Sequence, residues 1–278
     1  MKEAEIKKVV REGYGKIAQK SLSRCSSVSS CCGSQDLVQN ISKRIGYSDE
    51  EIKVVPEGAN LGLGCGNPVA LASLKKGEVV LDLGSGAGFD CFLAANQVGT
   101  EGSVIGVDMT TEMLDRAREN ARKGNYENVE FRLGEIENLP VADNLADIII
   151  SNCVINLSPD KKRVFREAFR VLKPGGRLMV SDIVLLKELP EEVKSSIAAY
   201  IGCLAGAVTK REYLKAIQAA GFQETRVVGE TSFPTELIAN DPTAREIAGN
   251  LNLSREKAKD LASSVVSVKV FAVKPPAP

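Results

Sequence analysis

The sequence predicts an α/β fold in which a mostly parallel sheet is covered by helices on both faces. From residue 78 onwards, apolar runs of strand length alternate with amphipathic helices, which is the pattern of βαβ units. The run ADIII at 146–150 has an apolar core that is typical of a strand buried on both faces. The chain of 278 residues is also long for one minimal domain, so we expect a smaller appended region.

The N-terminal segment predicts helices that are joined by loops. Apolar residues recur at helical spacing from Ile6 to Ile17, so we expect a helix from residue 2 to about 20. The Ser-rich stretch SLSRCSSVSSCCGS that follows indicates a loop. A short helix then ends at a glycine, and Ser48 with Glu51 forms a candidate capping box for the next one. The glycine-rich segment GANLGLGCGNP predicts another loop.

The regular part of the chain contains five strand candidates and three helix candidates. The strands are EVVLDLG, SVIGVD, VEFRLG, ADIIISN and GRLMVSD, and the helices are FDCFLAANQV, TEMLDRARENARK and KKRVFREAFRVL. After Asp182 we expect helices in ELPEEVKSSIAAYIG and TKREYLKAIQAAGF. Two late strands, at about 224–232 and 265–274, should enclose helical stretches near 242 and 254.

Charge and composition narrow the classes of function. Lys+Arg and Asp+Glu number 36 each, so no long-range field favours nucleic acid or an anionic membrane. The N-terminus has no apolar signal segment and no run is long enough for a membrane span, so we expect a cytoplasmic protein. The chain has no histidine, which removes the usual general base and the usual zinc or iron ligand. The chemistry must therefore use carboxylates, thiolates or a cofactor.

A glycine motif follows the first predicted strand. Gly84, Gly86 and Gly88 have G-x-G-x-G spacing in LDLGSGAGFD, where glycine permits a tight turn and close approach to a ligand. Phe89 stands where a dinucleotide fingerprint needs glycine, which weakens a nicotinamide or flavin interpretation. Asp108 ends the second strand, where a carboxylate can accept hydrogen bonds from both ribose hydroxyls.

These features resemble the class I S-adenosylmethionine methyltransferases over roughly residues 78–183. The resemblance implies a Rossmann-like sheet with S-adenosylmethionine as cofactor. It also implies that an acidic residue of strand one, here Asp82, supports the loop, that residues after strand three border adenine, and that Asn152 lies near the methyl group. The implied cofactor-binding residues are Asp82, Gly84, Gly86, Gly88, Asp108, Met109, Gly134, Glu135, Ile136 and Asn152. Another nucleotide bound to a Rossmann-like domain is the alternative.

Three cysteines lie in segments that the chemistry could use. Cys153 directly follows strand four, at the carboxyl edge where open α/β sheets bind ligands. Cys203 lies in the appended region, in YIGCLAGA, and Cys65 lies between small residues in GLGCGNP. Taken alone, Cys153 and Cys203 could be buried apolar residues. A soft acceptor with its own lone pair would suit a site that has no histidine base, because it has no proton to lose.

The motifs SNCVINLSPDK, GLGCGNP, IGCLAGA and DLGSGAGFDC together resemble the arsenite S-adenosylmethionine methyltransferases over about residues 50–210. The resemblance implies that Cys65, Cys153 and Cys203 bind As(III) or its thiol conjugates. It also implies that Cys31 or Cys32 forms a transient disulfide with Cys65, which thioredoxin or glutathione type reductants reopen. Arsenic detoxification is the implied role.

Other interpretations remain open from the residues alone. A small-molecule C- or O-methyltransferase would make Cys153 and Cys203 incidental, and a thiol-based metalloid-binding protein would bind arsenite without methyl transfer. Structural zinc is disfavoured because no C-x-x-C pair occurs. We expect a monomer with N-terminal helices and a cysteine-containing loop at 1–60, an S-adenosylmethionine-binding domain at 61–183, and a C-terminal acceptor-binding or lid region at 184–278.

Overall fold

The computed structural model describes residues 2–23, 32–190, 193, 203–232, 256, 260 and 263–277. Its described strands form one seven-stranded sheet in the order β3-β2-β1-β4-β5-β7-β6. Strands β1 to β5 run parallel, and β7 pairs antiparallel with both β5 and β6. The strands are β1 (Val79–Leu83), β2 (Ser103–Asp108), β3 (Val129–Leu133), β4 (Ala146–Asn152), β5 (Leu172–Leu185), β6 (Gln223–Ser232) and β7 (Val265–Val273). The predicted mostly parallel α/β sheet is confirmed.

Helices cover both faces of this sheet. The described helices are α1 (Glu3–Ser23), α2 (Cys32–Arg44), α3 (Asp49–Val54), α4 (Pro68–Leu71), α5 (Phe89–Val98), α6 (Thr111–Lys123), α7 (Lys161–Val171) and α8 (Lys210–Ala219). Leu81 and Leu83 of β1 belong to the core that includes α7 and α8, whereas Val80 belongs to the core that includes α5 and α6. This alternation follows from the two-residue period of a strand, which buries both faces of β1.

The local predictions for the N-terminal segment are partly confirmed. Ser48 and Glu51 form the predicted capping box at the start of α3. The predicted loop at 21–34 is too long, because α1 continues to Ser23 and α2 begins at Cys32. Serine and cysteine are only weakly unfavourable inside a helix, so composition alone did not set these boundaries. Residues 24–31, the predicted helix near 242, and most of the predicted helices at 188–202 and near 254 lie outside the described residues.

The C-terminal region contributes to the main sheet. Strands β6 and β7 correspond to the two late strands predicted from the sequence, and β7 pairs with β5 along Arg177 to Leu185. The carboxyl ends of β1, β2 and β4 meet at one edge of the sheet, and Asn152 pairs there with Ser181 of β5. Ligands of open α/β sheets bind at this edge. Within the described residues, no helix has the length and apolar character needed to cross a membrane.

Candidate active site

A cleft of about 1100 Å³, open solvent included, lies at the carboxyl edge of the sheet. Pockets of 300 to about 1000 Å³ commonly hold small ligands, so the space suits a nucleoside-sized molecule. Nine of the residues predicted from the sequence line it: Asp82, Gly84, Gly86, Asp108, Met109, Gly134, Ile136, Asn152 and Cys153. The cleft therefore brings the predicted donor residues next to one of the predicted acceptor cysteines.

Two predicted cofactor residues lie outside the described lining of this cleft. Gly88 is the residue before α5, with φ +94°, and a Cβ there would come within 2.7 Å of the Phe92 ring. Glycine is therefore required at position 88 by the backbone conformation and by packing against the helix. Glu135 accepts a hydrogen bond from the Lys7 ammonium of α1 at 2.8 Å, and its side chain is partly exposed.

The Asp108 carboxylate organises the turn after β1. It accepts hydrogen bonds from the backbone N–H groups of Gly86 at 2.9 Å and Thr110 at 2.8 Å. Burial raises the pKa of Asp108, and these N–H donors act in the opposite direction. The neighbouring Ser85 Oγ is buried and has no hydrogen-bond partner among the described residues. A polar ligand in the cleft could satisfy it.

Two further carboxylates line the cleft, on β1 and α5. The Asp82 carboxylate accepts a hydrogen bond from the Cys91 thiol at 3.2 Å, and burial raises the pKa of Asp82 well above its usual value. Asp90 accepts a hydrogen bond from the Tyr47 hydroxyl at 2.6 Å. Burial also raises the pKa of Asp90, to about 6, against the lowering effect of the Tyr47 and Asn152 hydrogen bonds.

Asn152 joins the cleft to the loop that contains Cys65. Its side-chain oxygen accepts a hydrogen bond from the Cys65 backbone N–H at 3.0 Å. Its amide nitrogen contacts the Gly66 carbonyl at 2.8 Å and the Asp90 carboxylate at 3.0 Å, and it lies 2.8 Å from the Tyr47 hydroxyl. One amide side chain therefore fixes the position of the loop relative to the carboxyl end of β4.

Small residues on both sides of Cys65 allow its loop to approach the sheet. A Cβ at Gly64 would come within 2.6 Å of the Asn152 amide nitrogen, and a Cβ at Gly66 would overlap Ser181 Oγ on β5. The Ser267 hydroxyl of β7 donates a hydrogen bond to the Cys65 carbonyl at 2.8 Å. The glycines thus let two strands hold the Cys65 backbone directly.

The three predicted acceptor cysteines belong to one buried cluster. Cys65, Cys153 and Cys203 lie together with Val10 and Leu157, and each cysteine is at most 7% exposed. The Cys203 thiol donates to the Cys153 carbonyl at 3.0 Å. Hydrogen bonds with the Cys203 and Cys65 thiols, followed by burial, raise the pKa of Cys153 well above its usual value. The three thiols are therefore neighbours, although their segments are far apart in sequence.

Cys153 and Cys203 both have backbone angles that non-glycine residues rarely adopt. Their φ values are +59° and +62°. Such conformations persist when the surrounding structure holds them, and they occur often at functional sites. Among the described cysteines, Cys65, Cys91, Cys153 and Cys203 are all free thiols.

Sequence reasoning missed Asp182, which lies next to the cysteine cluster on β5. One carboxylate oxygen of Asp182 and the sulfurs of Cys65 and Cys153 all lie within 4.8 Å of one another. Asp182 follows Ser181, the partner of Asn152 across the sheet, so the rule that strand ends share one edge could have found it. Tyr47 and Asp90 were also missed, because hydrogen bonding between distant segments leaves no local motif.

The side chains of the two redox cysteines predicted from the resemblance, Cys31 and Cys32, are not among those that the structure describes. Cys31 lies outside the described residues, and Cys32 begins α2 without a described side chain.

Known proteins share the fold and a substantial part of the sequence. A methyltransferase domain family matches residues 74–221. An arsenite methyltransferase of Halobacterium salinarum is 46% identical over 250 residues, which cover 87% of this chain and 63% of that protein. The solved structure of an arsenic(III) S-adenosylmethionine methyltransferase from Chlamydomonas reinhardtii is 32% identical, with a TM-score of 0.64, over 85% of this chain and 74% of that one. The chain belongs to the arsenite methyltransferase family.

Human arsenite methyltransferase is a further relative, 35% identical over 238 residues. The chain spans 61% of the length of the human protein and 63% of the Halobacterium protein. S-adenosylmethionine is the methyl donor of the arsenite methyltransferase family. The cleft fits this donor, because Asp108 can bind ribose hydroxyls and Ser85 offers an unsatisfied hydroxyl, while Met109 and Ile136 supply apolar walls.

Proposed function

We propose that this chain transfers a methyl group from S-adenosylmethionine to trivalent arsenic that is bound by Cys65, Cys153 and Cys203. The observation that supports this most directly is the shared buried cluster of the three cysteines, one of which also lines the donor cleft. The named relatives act on arsenite, which supports the same acceptor for this chain.

The residues of the cleft supply position rather than proton transfer. When bound, S-adenosylmethionine supplies an activated methyl group on a positively charged sulfur. Asp108 would hold the ribose, and Asn152, at the border between cleft and cysteines, would fix the distance between donor and acceptor. The buried apolar neighbours Val10 and Leu157 would exclude water from the acceptor side.

Arsenous acid can bind the three thiols without an external base. Each thiol proton leaves with one arsenic hydroxide as water, while a sulfur–arsenic bond forms. This exchange changes no net charge, so it does not require a thiolate beforehand. It therefore agrees with the raised pKa of the Cys153 thiol, which results from its neighbours and from burial. With arsenic held by the three cysteines, its lone pair would take the methyl group that S-adenosylmethionine supplies, and the donor would keep the electron pair of the broken carbon–sulfur bond and leave as a neutral thioether.

Methylation formally oxidises arsenic from the trivalent to the pentavalent state. The thiol of Cys31 or Cys32 would lose its proton and attack the arsenic-bound sulfur of Cys65. The sulfur–arsenic bond would break, its electron pair would return arsenic to the trivalent state, and the two sulfurs would form a disulfide. A dithiol of thioredoxin type or glutathione would then reduce this disulfide. We include such a reductant, and the reducing cytoplasm that supplies it, in the proposal.

The test is to incubate the protein with arsenite, S-adenosylmethionine and a thiol reductant, and to separate the arsenic species. We expect methylated arsenic and an equal amount of S-adenosylhomocysteine. Cys153→Ser should lower the rate by more than about 100-fold, because one of three ligands is lost. If no methylated arsenic forms while the donor binds, the proposal is wrong.

A pair of variants separates the acceptor from the donor. Cys203→Ser should weaken As(III) binding by more than about tenfold and leave donor binding unchanged. Asp108→Ala should weaken donor binding by about tenfold or more, because a charged hydrogen bond is worth about 1.5–3 kcal/mol, and leave As(III) binding unchanged. Arsenite binding without S-adenosylhomocysteine would instead indicate a metalloid-binding protein. Full turnover of an organic acceptor by Cys153→Ser would indicate a C- or O-methyltransferase.

A further inference from the structure

Asp182 gives the cysteine cluster a ligand that trivalent arsenic does not need. Its carboxylate is 1% exposed and lies with the sulfurs of Cys65 and Cys153 in a group whose ligand atoms are all within 4.8 Å of one another. Cys203 is not part of this group. The group of Cys65, Cys153 and Asp182 therefore shares two cysteines with the proposed arsenic site but differs from it in the third ligand.

Two thiolates and a carboxylate suit a borderline divalent cation. Zn²⁺ accepts sulfur at about 2.3 Å and carboxylate oxygen at about 2.0 Å, so ligand atoms of a tetrahedral site are about 3.5–3.8 Å apart. The two sulfurs and the carboxylate oxygen already lie within 4.8 Å of one another, so small side-chain rotations could bring them to this spacing. Three protein ligands would leave a fourth position for water.

The surroundings of Asp182 resemble those of a carboxylate that is held for coordination. Oδ1 accepts hydrogen bonds from the Asn156 amide at 2.8 Å and from the Ile183 backbone N–H at 2.9 Å. Oδ2 accepts one from the Tyr213 hydroxyl at 3.0 Å. Partners of this kind orient metal-bound carboxylates in proteins.

The local charge also balances around a divalent cation. Cys65, Cys153 and Asp182 would together carry three negative charges when they coordinate a metal. The Lys161 ammonium lies close enough to interact electrostatically with Asp182. Two charges from the cation and one from Lys161 neutralise the site, which favours binding in a buried position.

We propose that Cys65, Cys153 and Asp182 form a site for a Zn²⁺-like divalent cation. Because the site uses two of the proposed arsenic ligands, a cation bound there excludes As(III). Zinc would then inhibit the arsenite methylation proposed above, in competition with arsenite.

The test uses Co²⁺ as a probe, because Zn²⁺ has no useful visible absorption. The reduced full chain is titrated with Co²⁺ in the absence of arsenite and S-adenosylmethionine. We expect sulfur-to-cobalt charge-transfer absorption with the intensity of two thiolates per cobalt, and its loss when Zn²⁺ is added. Asp182→Asn should weaken Co²⁺ binding by about tenfold or more. An absence of charge-transfer absorption in the wild type overturns the proposal.

Cys203→Ser distinguishes this site from the arsenic site. Because Cys203 is not one of the three proposed ligands, this variant should keep the two-thiolate charge-transfer intensity and lose much less Co²⁺ affinity than Cys153→Ser, although it weakens As(III) binding. Cys153→Ser should weaken both. If Cys203→Ser and Cys153→Ser lower Co²⁺ binding equally, or the wild-type intensity equals three thiolates, cobalt uses the three cysteines and the proposal is wrong.

Circular dichroism checks the fold of each variant, and the wild-type and Cys203→Ser results decide the question if Asp182→Asn does not fold. Arsenite methylation in the absence of added metal is measured separately, so failure of cobalt binding leaves the proposed function intact.

Discussion

The donor and acceptor sides of the cleft are built in different ways. The donor side comes mainly from one βαβ unit, in which the loop after β1 and the end of β2 meet through the Asp108 hydrogen bonds to Gly86 and Thr110. The acceptor side gathers Cys65, Cys153 and Cys203 from separate segments of the chain. The donor side therefore depends on local geometry, whereas the acceptor side exists only after the whole sheet has formed.

The two sides also differ in their electrostatics. Buried carboxylates surround the donor loop, and burial raises the pKa of both Asp82 and Asp90. The acceptor side combines thiols with apolar neighbours such as Val10 and Leu157. A charged donor and a soft acceptor need these different surroundings, and the Asn152 side chain hydrogen-bonds to elements of both.

The largest expected effect comes from breaking this connection with Asn152→Ala. The change leaves the Cys65 N–H and the Gly66 carbonyl without their side-chain partner and removes a donor to Asp90. Each unsatisfied buried group costs about 1–3 kcal/mol, so methyl transfer should fall by about 100-fold or more. Binding of both S-adenosylmethionine and As(III) should weaken, which titration of each ligand will measure.

Asn128→Ala is a matched control for that change. Asn128 donates a hydrogen bond to the Gly99 carbonyl at 2.9 Å, away from the cleft. Its loss should lower stability while both ligands bind as before. If Asn152→Ala weakens only one ligand, the two sides are independent and Asn152 does not couple them.

The difference between the two sides explains what the sequence could predict. The Gly84 loop and Asp108 could be predicted because the glycine spacing and the end of the next strand both lie within one segment of about 30 residues. The convergence of Cys65 with Cys153 depends on the close approach of the Gly66 backbone to Ser181, which no local pattern encodes. Family resemblance identified those cysteines, but it did not predict the adjacent Asp182 or the Tyr47–Asp90 hydrogen bond.

A smaller effect should appear in the pH dependence of stability, through Asp90→Asn. Burial raises the folded-state pKa of Asp90 to about 6, above its ordinary value of 3.8. The folded protein therefore binds this proton more tightly than the unfolded chain, so its stabilising contribution is lost as pH rises from about 4 to about 6. The loss is at most about 3 kcal/mol. Urea unfolding across this range should show a shallower decline in Asp90→Asn than in the wild type.

Tyr47→Phe tests the same carboxylate by raising the pKa of Asp90 further instead of removing the titrating group. The Tyr47 hydrogen bond lowers the pKa of Asp90, so removing the hydroxyl should extend the decline in stability to higher pH. If the free energy of unfolding depends on pH in the same way in the wild type, Asp90→Asn and Tyr47→Phe, Asp90 does not govern this pH dependence.

The smallest effect is expected for Cys91→Ala, which sharpens the comparison by testing a cysteine on the donor side. Cys91 is fully buried in the α5 core, and its thiol donates to Asp82 rather than joining the cysteine cluster. As(III) binding and methyl transfer should stay within about twofold of wild type, and stability should fall by about 1–2 kcal/mol as one hydrogen bond and a small volume are lost. Cys91→Ser, which keeps a donor to Asp82, should recover part of that stability. If Cys91→Ala instead lowers As(III) binding as Cys153→Ser does, thiol chemistry is not confined to the acceptor side.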